Sequence, residues 1–496
     1  MLNGLLDTVS VGNVGITYLR AAVGFATAIF VGYLLMRGLG TRLPRHASGW
    51  LLACLSICVG LCVTSLGTLI WRIWFWSIPG SLIVVDFILV AMFAIVFGWR
   101  IRKEGISRGT DRPADDPDPP RIFFLLFAVF LGWGIACSIT GVVLSSLEDP
   151  LGDWDAWAFW NLKAKFLYLG GATWTDMFEP PLEHTDYPLH LPLAIARLWF
   201  YQGAESAFIP QSLCVLWVIL IPGLLVSSVA ATRGRMPALL AGLVLVATPG
   251  FLILSARQFA DAPLSMYILA SFCLLTLSTL DSRHAGPLLV LSGLTAGSAA
   301  FTKNEGLLFA LALLVATCLF CWPKRGFRAS CRVGAALLLG MIPMLITVLI
   351  MKLGFAGRTD LFESQSLARM LTNLCDIERH REVISWTIRS FLFPNQIDGP
   401  LLLFILVYAL TVGFSRSHCG QWVKGAIAGT LLLVAAGYYL VFLITPHDLS
   451  WHLVLSHNRL MMHIWPSVLF LIFTSLNFRP ASKACDRVPY VRRTGR

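Results

Sequence analysis

Residues 148–193 read EDPLGDWDAWAFWNLKAKFLYLGGATWTDMFEPPLEHTDYPLHLPL. They form the first long polar interruption after four hydrophobic segments, and their carboxylates, histidines and lysines are interleaved with aromatic residues. Trp and Tyr gather where a bilayer meets water, so the stretch reads as the lip of a membrane. The composition agrees. Of the 496 residues, 57% are hydrophobic and only 13% charged, and the mean hydropathy is +0.74. That is too little charge to cover a soluble protein of this length.

Apolar runs of membrane-spanning length precede the stretch at 16–36, 50–70, 82–99 and 122–144. Others follow at 208–230, 237–254, 263–280, 287–301, 307–321, 333–351, 401–414, 425–444 and 464–476. The expectation is an all-α polytopic membrane protein with about thirteen transmembrane helices, and with juxtamembrane amphipathic helices in its outer loops. The apolar piece at 187–201 is short and carries His190 and Arg197. A juxtamembrane or re-entrant helix is expected there, not a crossing. The first run is long for a signal peptide and lacks a basic start.

The net charge of +11 does not point to nucleic acid. The basic residues cluster in short loops between the runs, as in PKRGFRASCR (323–332), and in the C-terminal tail. This is the positive-inside pattern. It makes those loops cytoplasmic and puts 148–193 outside, as for a multi-pass protein of a bacterial inner (plasma) membrane whose active site faces outward. The chain then divides into a three-span region with a Pro/Asp-rich linker (1–121) and a core (122–352) with an outer loop at 145–207. An outer amphipathic loop (353–400), C-terminal spans (401–478) and a basic tail (479–496) follow. Most of the 12 cysteines lie in apolar runs or cytoplasmic loops, which implies no disulfide framework.

Four polar regions gather on the expected outer side. Asp153 and Asp155, one residue apart, can bind a cation or act as a general base; a solvated loop among interfacial tryptophans is the plainer alternative. Lys163 follows in an amphipathic segment suited to the interface. His184 and Asp186 can hydrogen-bond or hold a metal, although Asp186 also suits a helix cap with Pro188 in the first turn. Arg257 with Asp261, and Lys303 with Glu305, occupy turns so tight that their charges lie at the membrane surface. Each pair can be a local ion pair, or Arg257 or Lys303 can hold a phosphate. Arg459 either snorkels to the interface or binds phosphate. Arg20 and Asp86, inside apolar runs, read as a structural pair. No P-loop, GxSxG or HExxH motif occurs, so neither ATP nor those hydrolase mechanisms are indicated.

Five pieces follow one another along the chain: DWDAWAFWNLKAKF (153–166), DYPLHLPL (186–193), ARQFADAPL (256–264), GLTAGSAAFTKNEG (293–306) and NRLMMHIWP (458–466). Over about 122–466 the chain resembles the integral-membrane glycosyltransferases of the GT-C fold, near the protein O-mannosyltransferases and the phospholipid carrier-dependent aminoarabinose transferases acting on lipid A. Two features depart from that pattern. Three spans precede the family's usual first one, and the acids are Asp-Trp-Asp where many relatives have two adjacent acids. The catalytic position therefore lies between Asp153 and Asp155, and Asp155, next to the Ala and aromatic run, is preferred.

The resemblance implies a polyprenyl-phosphate sugar donor whose lipid tail lies among the spans. It implies a phosphate meeting Lys303, Arg257 or Arg459, and a glycan, lipid or protein acceptor entering from outside. A divalent metal, at Asp153 and Asp155 if anywhere, is allowed but not required. The competing expectation is a transporter or flippase of a lipid-linked or amphipathic solute, for which charges in mid-membrane would be the mark.

Overall fold

The computed structural model describes residues 11–41, 43, 48–78, 80–104, 121–280, 285–357, 365–392, 399–414 and 420–477. The expected linker at 105–120 and basic tail at 479–496 lie outside the described residues, as do 358–364 and 393–398 of the 353–400 loop. The described chain is helical, with no strand beyond one isolated bridge between Phe414 and Leu476. In order, α1 (Val11–Gly38), α2 (Ser48–Trp74), α3 (Ser81–Glu104) and α4 (Arg121–Glu148) lead to α5 (Asn161–Leu169) and α6 (His190–Gln202). Then come α7 (Phe208–Arg233), α8 (Arg235–Val246), α9 (Pro249–Ala256), α10 (Asp261–Leu277), α11 (Ala285–Thr302), α12 (Asn304–Arg325) and α13 (Phe327–Gly354). The series closes with α14 (Leu367–Cys375), α15 (Ile377–Leu392), α16 (Gly399–Val412), α17 (Gln421–Ile444) and α18 (Leu449–Ser475).

Among the described residues nine helices (α1–α4, α7, α11–α13 and α17) are long and apolar enough to cross a membrane. The count becomes ten if α8 and α9, bent by 64° at their junction, form one span. Pro249 has no N–H to continue the α8 ladder, which accounts for that bend. These helices make the chain an integral membrane protein. The expected runs at 263–280, 401–414 and 464–476 fall in helices of another kind. α10 has 17 residues and α16 has 14, and the first half of α18 is polar. The runs at 425–444 and 464–476 leave 445–463 as an outer loop, but Arg459 and His463 lie within one 27-residue helix.

The bundle is tied together by close backbone approaches. A Cβ on Gly293 of α11 would fall 1.9 Å from the Leu337 carbonyl of α13, and one on Gly340 of α13 would fall 1.9 Å from the Val290 carbonyl. Gly32 and Gly60 form the same reciprocal contact between α1 and α2. Small residues let apolar helices pack where no hydrophobic force separates them from lipid. α3 and α4 stay exposed along most of their length, while α2, α7 and α11 are largely buried.

α6 does not traverse the bundle. Asp186, before it, touches Asn304 and Lys352, while Gln211, just after α7 begins, donates to the Ser146 carbonyl in the last turn of α4 and to the Pro150 carbonyl just past it. Both contacts belong to one end of the bundle. The helix is buried except at Phe200. It carries the pair that corrects the expected partner of Asp86: Arg197 donates to Asp86 Oδ2 at 2.6 Å and to the Gly24 carbonyl at 2.9 Å, whereas Arg20 is exposed. Arg72, at the end of α2, holds α5 by donating to the Leu167 carbonyl at 2.9 Å and to the Gly171 carbonyl.

Candidate functional site

The polar groups meet at the end of the bundle reached by the C-terminus of α4. Asp261 is their hub. It opens α10, and its side chain is 1% exposed. It accepts from Arg459 at 3.0 Å, from Lys303 at 3.3 Å and from His463 Nε2 at 2.6 Å. Arg459 also donates to Asp155 Oδ2 at 2.6 Å, and Lys303 to Glu305 Oε1 at 3.0 Å. Asp155, Asp261, Lys303, Glu305 and Arg459 come from four separate segments of chain. Each cation lies between two carboxylates, which offsets the cost of holding it out of water.

Local backbone explains how each group is aimed. Asp155 immediately precedes a π-helical turn, Ala156–Trp160, in which Ala156, Phe159 and Trp160 are buried. This wide turn, a form that recurs at functional sites, anchors the aromatic face inward and leaves Asp155 at the rim. Gln258 adopts φ 61, a left-handed conformation that a non-glycine residue takes only when held. Asn161 Nδ2 donates to Gln258 Oε1 at 2.9 Å, and Gln258 Nε2 to the Pro150 carbonyl at 3.2 Å. The strained turn sends Arg257 and Asp261 apart. Arg257 pairs with Asp153 at 3.2 Å, which corrects the local Arg257–Asp261 pair expected from their spacing. The Lys303–Glu305 pair does form.

Asp186 is not a helix cap. The following helix starts at His190 with Leu189 before it. Asp186 instead accepts from Asn304 Nδ2 at 2.6 Å and faces Lys352 Nζ at 3.9 Å. Burial pushes its carboxyl pKa up, against the pull of Asn304 and Lys352. Lys163 donates to the His184 carbonyl at 2.6 Å and the Tyr187 carbonyl at 3.4 Å, bracing His184 at φ 50. Burial pushes its ammonium down to about 7. His184 stacks on Tyr187 with ring centroids 4.8 Å apart. His184, Asp186 and Lys163 thus form a second group beside the hub, joined to it by the adjacent Asn304 and Glu305.

Two hub residues receive no role from the sequence. His463 lies one turn beyond Arg459 on the same face of α18, a spacing that could have flagged it. Tyr438, in α17, meets His463 Nδ1 at 3.2 Å and nothing local marks it. A carboxylate only accepts, so a neutral His463 carries its hydrogen on Nε2 and accepts from Tyr438 at Nδ1. The two acids of the DWD motif differ in setting. The Asp153 side chain is 47% exposed and the Asp155 side chain 17%. Each faces its own guanidinium, so a divalent cation shared by them would have to displace Arg257 and Arg459. Among the described residues no group of three or more His, Cys, Asp or Glu is disposed to hold a metal ion. A cavity of about 10 Å³ beside Asp261 has room for about one water. Compared with protein-family models, with curated proteins and with solved structures, the chain matches none of them.

Proposed function

We propose that the protein is a membrane glycosyltransferase that moves a sugar from a polyprenyl-phosphate donor to an acceptor hydroxyl on the outer face of the membrane, with inversion. One observation carries this: carboxylates and cations from four segments converge at one end of an apolar helix bundle, with Asp155 at the rim. About thirteen crossings, which add α10, α16, α18 and the α8–α9 pair to the nine long spans, bring the hub to the outer side. α14 and α15 expose Leu367, Leu371, Ile377, Ile384 and Ile388, which suits amphipathic helices lying in the lipid surface beside it.

In the reaction, the acceptor oxygen attacks the anomeric carbon as its proton passes to Asp155. The bond from that carbon to the phosphate oxygen breaks, and its electron pair leaves with the phosphate. Protonation of Asp155 weakens its hold on Arg459 Nη2, which Asp261 still holds in place. Arg459, Lys303 and Arg257 are the cations offered to the developing phosphate charge. Asp155 is preferred to Asp153 as the base because it is the more enclosed of the two. No step is routed through a metal.

The test is sugar transfer from polyprenyl-phosphate donors in membranes. Asp155→Asn should lower the rate by about 10²–10⁴-fold, the range for a lost general base, and Asp153→Asn by far less. Full activity in both single variants and in the double variant would sink the assignment.

A further inference from the structure

The cations at this end of the bundle are not equally available. Lys303 has Asp261 and Glu305 within 3.3 Å, and its side chain is 4% exposed. Arg459 has Asp155 and Asp261 within 3.0 Å. Arg257 has Asp153 at 3.2 Å, and Lys163 is sealed in, donating to two carbonyls. Lys352, at the C-terminal end of α13, differs. Its side chain is 29% exposed, its nearest described carboxylate, Asp186, is 3.9 Å away, and its one short bond goes to the Asp186 carbonyl at 3.2 Å. An ammonium carries three donors, so among the described residues Lys352 has donors to spare.

Among the described residues, two acceptors nearby are also unsatisfied. Asn304 Nδ2 donates to Asp186, the carboxylate that faces Lys352, yet Asn304 Oδ1 is buried with no hydrogen-bond partner. Glu305 Oε2, on the next residue, is buried and unpartnered as well. A buried acceptor without a donor is costly to leave so. Hydroxyl groups are donors that would satisfy both.

We infer that Lys352 is the phosphate ligand of this site, and that Asn304 Oδ1 and Glu305 Oε2 take hydroxyls of the sugar attached to that phosphate. The ligand is a glycosyl phosphodiester: one negative charge beside Lys352, with a polyol lying over the start of α12. The inference rests on the donor class proposed above and adds Lys352 as the contact that binds the phosphate before reaction, while the hub cations answer the charge that develops during transfer. Lys303 and Arg459 then keep their carboxylates through binding.

The test uses the full chain in detergent. Binding of farnesyl phosphate and of a farnesyl-phosphate-linked hexose is measured beside transfer from the long-chain donor. Lys352→Gln should weaken both ligands roughly ten- to a hundredfold, the loss of one charge-assisted contact, and raise KM more than it lowers kcat. Lys352→Arg should restore most of the affinity. Asn304→Ala should weaken the sugar-linked ligand and leave farnesyl phosphate unchanged. Wild-type transfer with unaltered binding and KM in Lys352→Gln overturns the inference and leaves the proposed activity standing. Lys352-dependent binding without transfer of any sugar overturns the activity and supports the binding site. Absence of binding by the wild type overturns both.

Discussion

Lys163 is a lysine in a place that suits its neutral form. It is 2% exposed, and it donates to the His184 and Tyr187 carbonyls. An uncharged amine has two hydrogens, enough for both bonds. Burial pushes the folded pKa down to about 7, while the unfolded chain keeps its proton to the ordinary lysine value. Between those values the unfolded state binds more protons, so stability contributed at this site rises with pH and falls away as pH drops through about 7. Thermal unfolding of the wild type in detergent should gain stability from pH 7 to 9.5, on the order of 1.4 kcal/mol per pH unit at most. Lys163→Met should flatten that dependence relative to the wild type; an unchanged slope in the variant would place the charge elsewhere. Much of the hub could be read one residue at a time. Asp155, Asp261, Lys303, Glu305 and Arg459 stand out because ionisable groups beside apolar runs are costly. Their partners could not be read. Spacing pairs Arg257 with Asp261 and leaves Asp86 to Arg20, but the strained turn at Gln258 and the buried α6 impose Asp153 and Arg197 instead.

The elements that carry these residues are set by small side chains as much as by large ones. The α11–α13 crossing brings backbone against backbone at Gly293 and Gly340, and α11 ends at Thr302, directly before Lys303. Gly340→Ala would put a Cβ 1.9 Å from the Val290 carbonyl, so the helices must part. Overpacking of this kind costs about 1–3 kcal/mol. The variant should show a lower melting temperature. It should also show weaker donor binding, because α13 carries Lys352 and α11 leads into Lys303. Alanine at Gly286, which has open space around it, is the control. The helices themselves were legible from apolar runs, and their ends less so. The dense polar residues from His452 to Arg459 read as a loop, yet Asp448 caps α18 by accepting from the Trp451 amide at 2.9 Å, and the helix runs on through Arg459. Those residues are helical because their side chains find partners across the site. His452 meets Thr445, His457 meets Thr387, and His463 meets Asp261. Period alone carries no record of such partners.

At the scale of the whole molecule, the two ends of the bundle have opposite character. One gathers the acidic hub, α14 and α15. The other carries Arg37, Arg102, Lys103, Arg233 and Arg325 at helix ends, with few acids near among the described residues. Basic loops stay on the cytoplasmic side, so the hub should face outward, and two exposed cysteines report on this directly. Cys375 closes α14 at the hub end, and Cys331 lies in the first turns of α13 at the basic end. Cys137, also exposed, is midway along the apolar α4, out of reach of a charged reagent in lipid. In intact cells a membrane-impermeant maleimide should modify Cys375 and spare Cys331, with both modified after permeabilisation, as read by peptide mass. Cys375→Ser should abolish the signal at that peptide in intact cells. The reverse pattern, with Cys331 modified from outside and Cys375 protected, would turn the bundle over. The acceptor would then have to be cytoplasmic, and the donor sugar would be used on the side where nucleotide sugars are available. A lipid-linked donor has its advantage only across the membrane from that supply, so the sidedness of Cys375 bears on the chemistry of Asp155 as directly as a substitution at Asp155 itself.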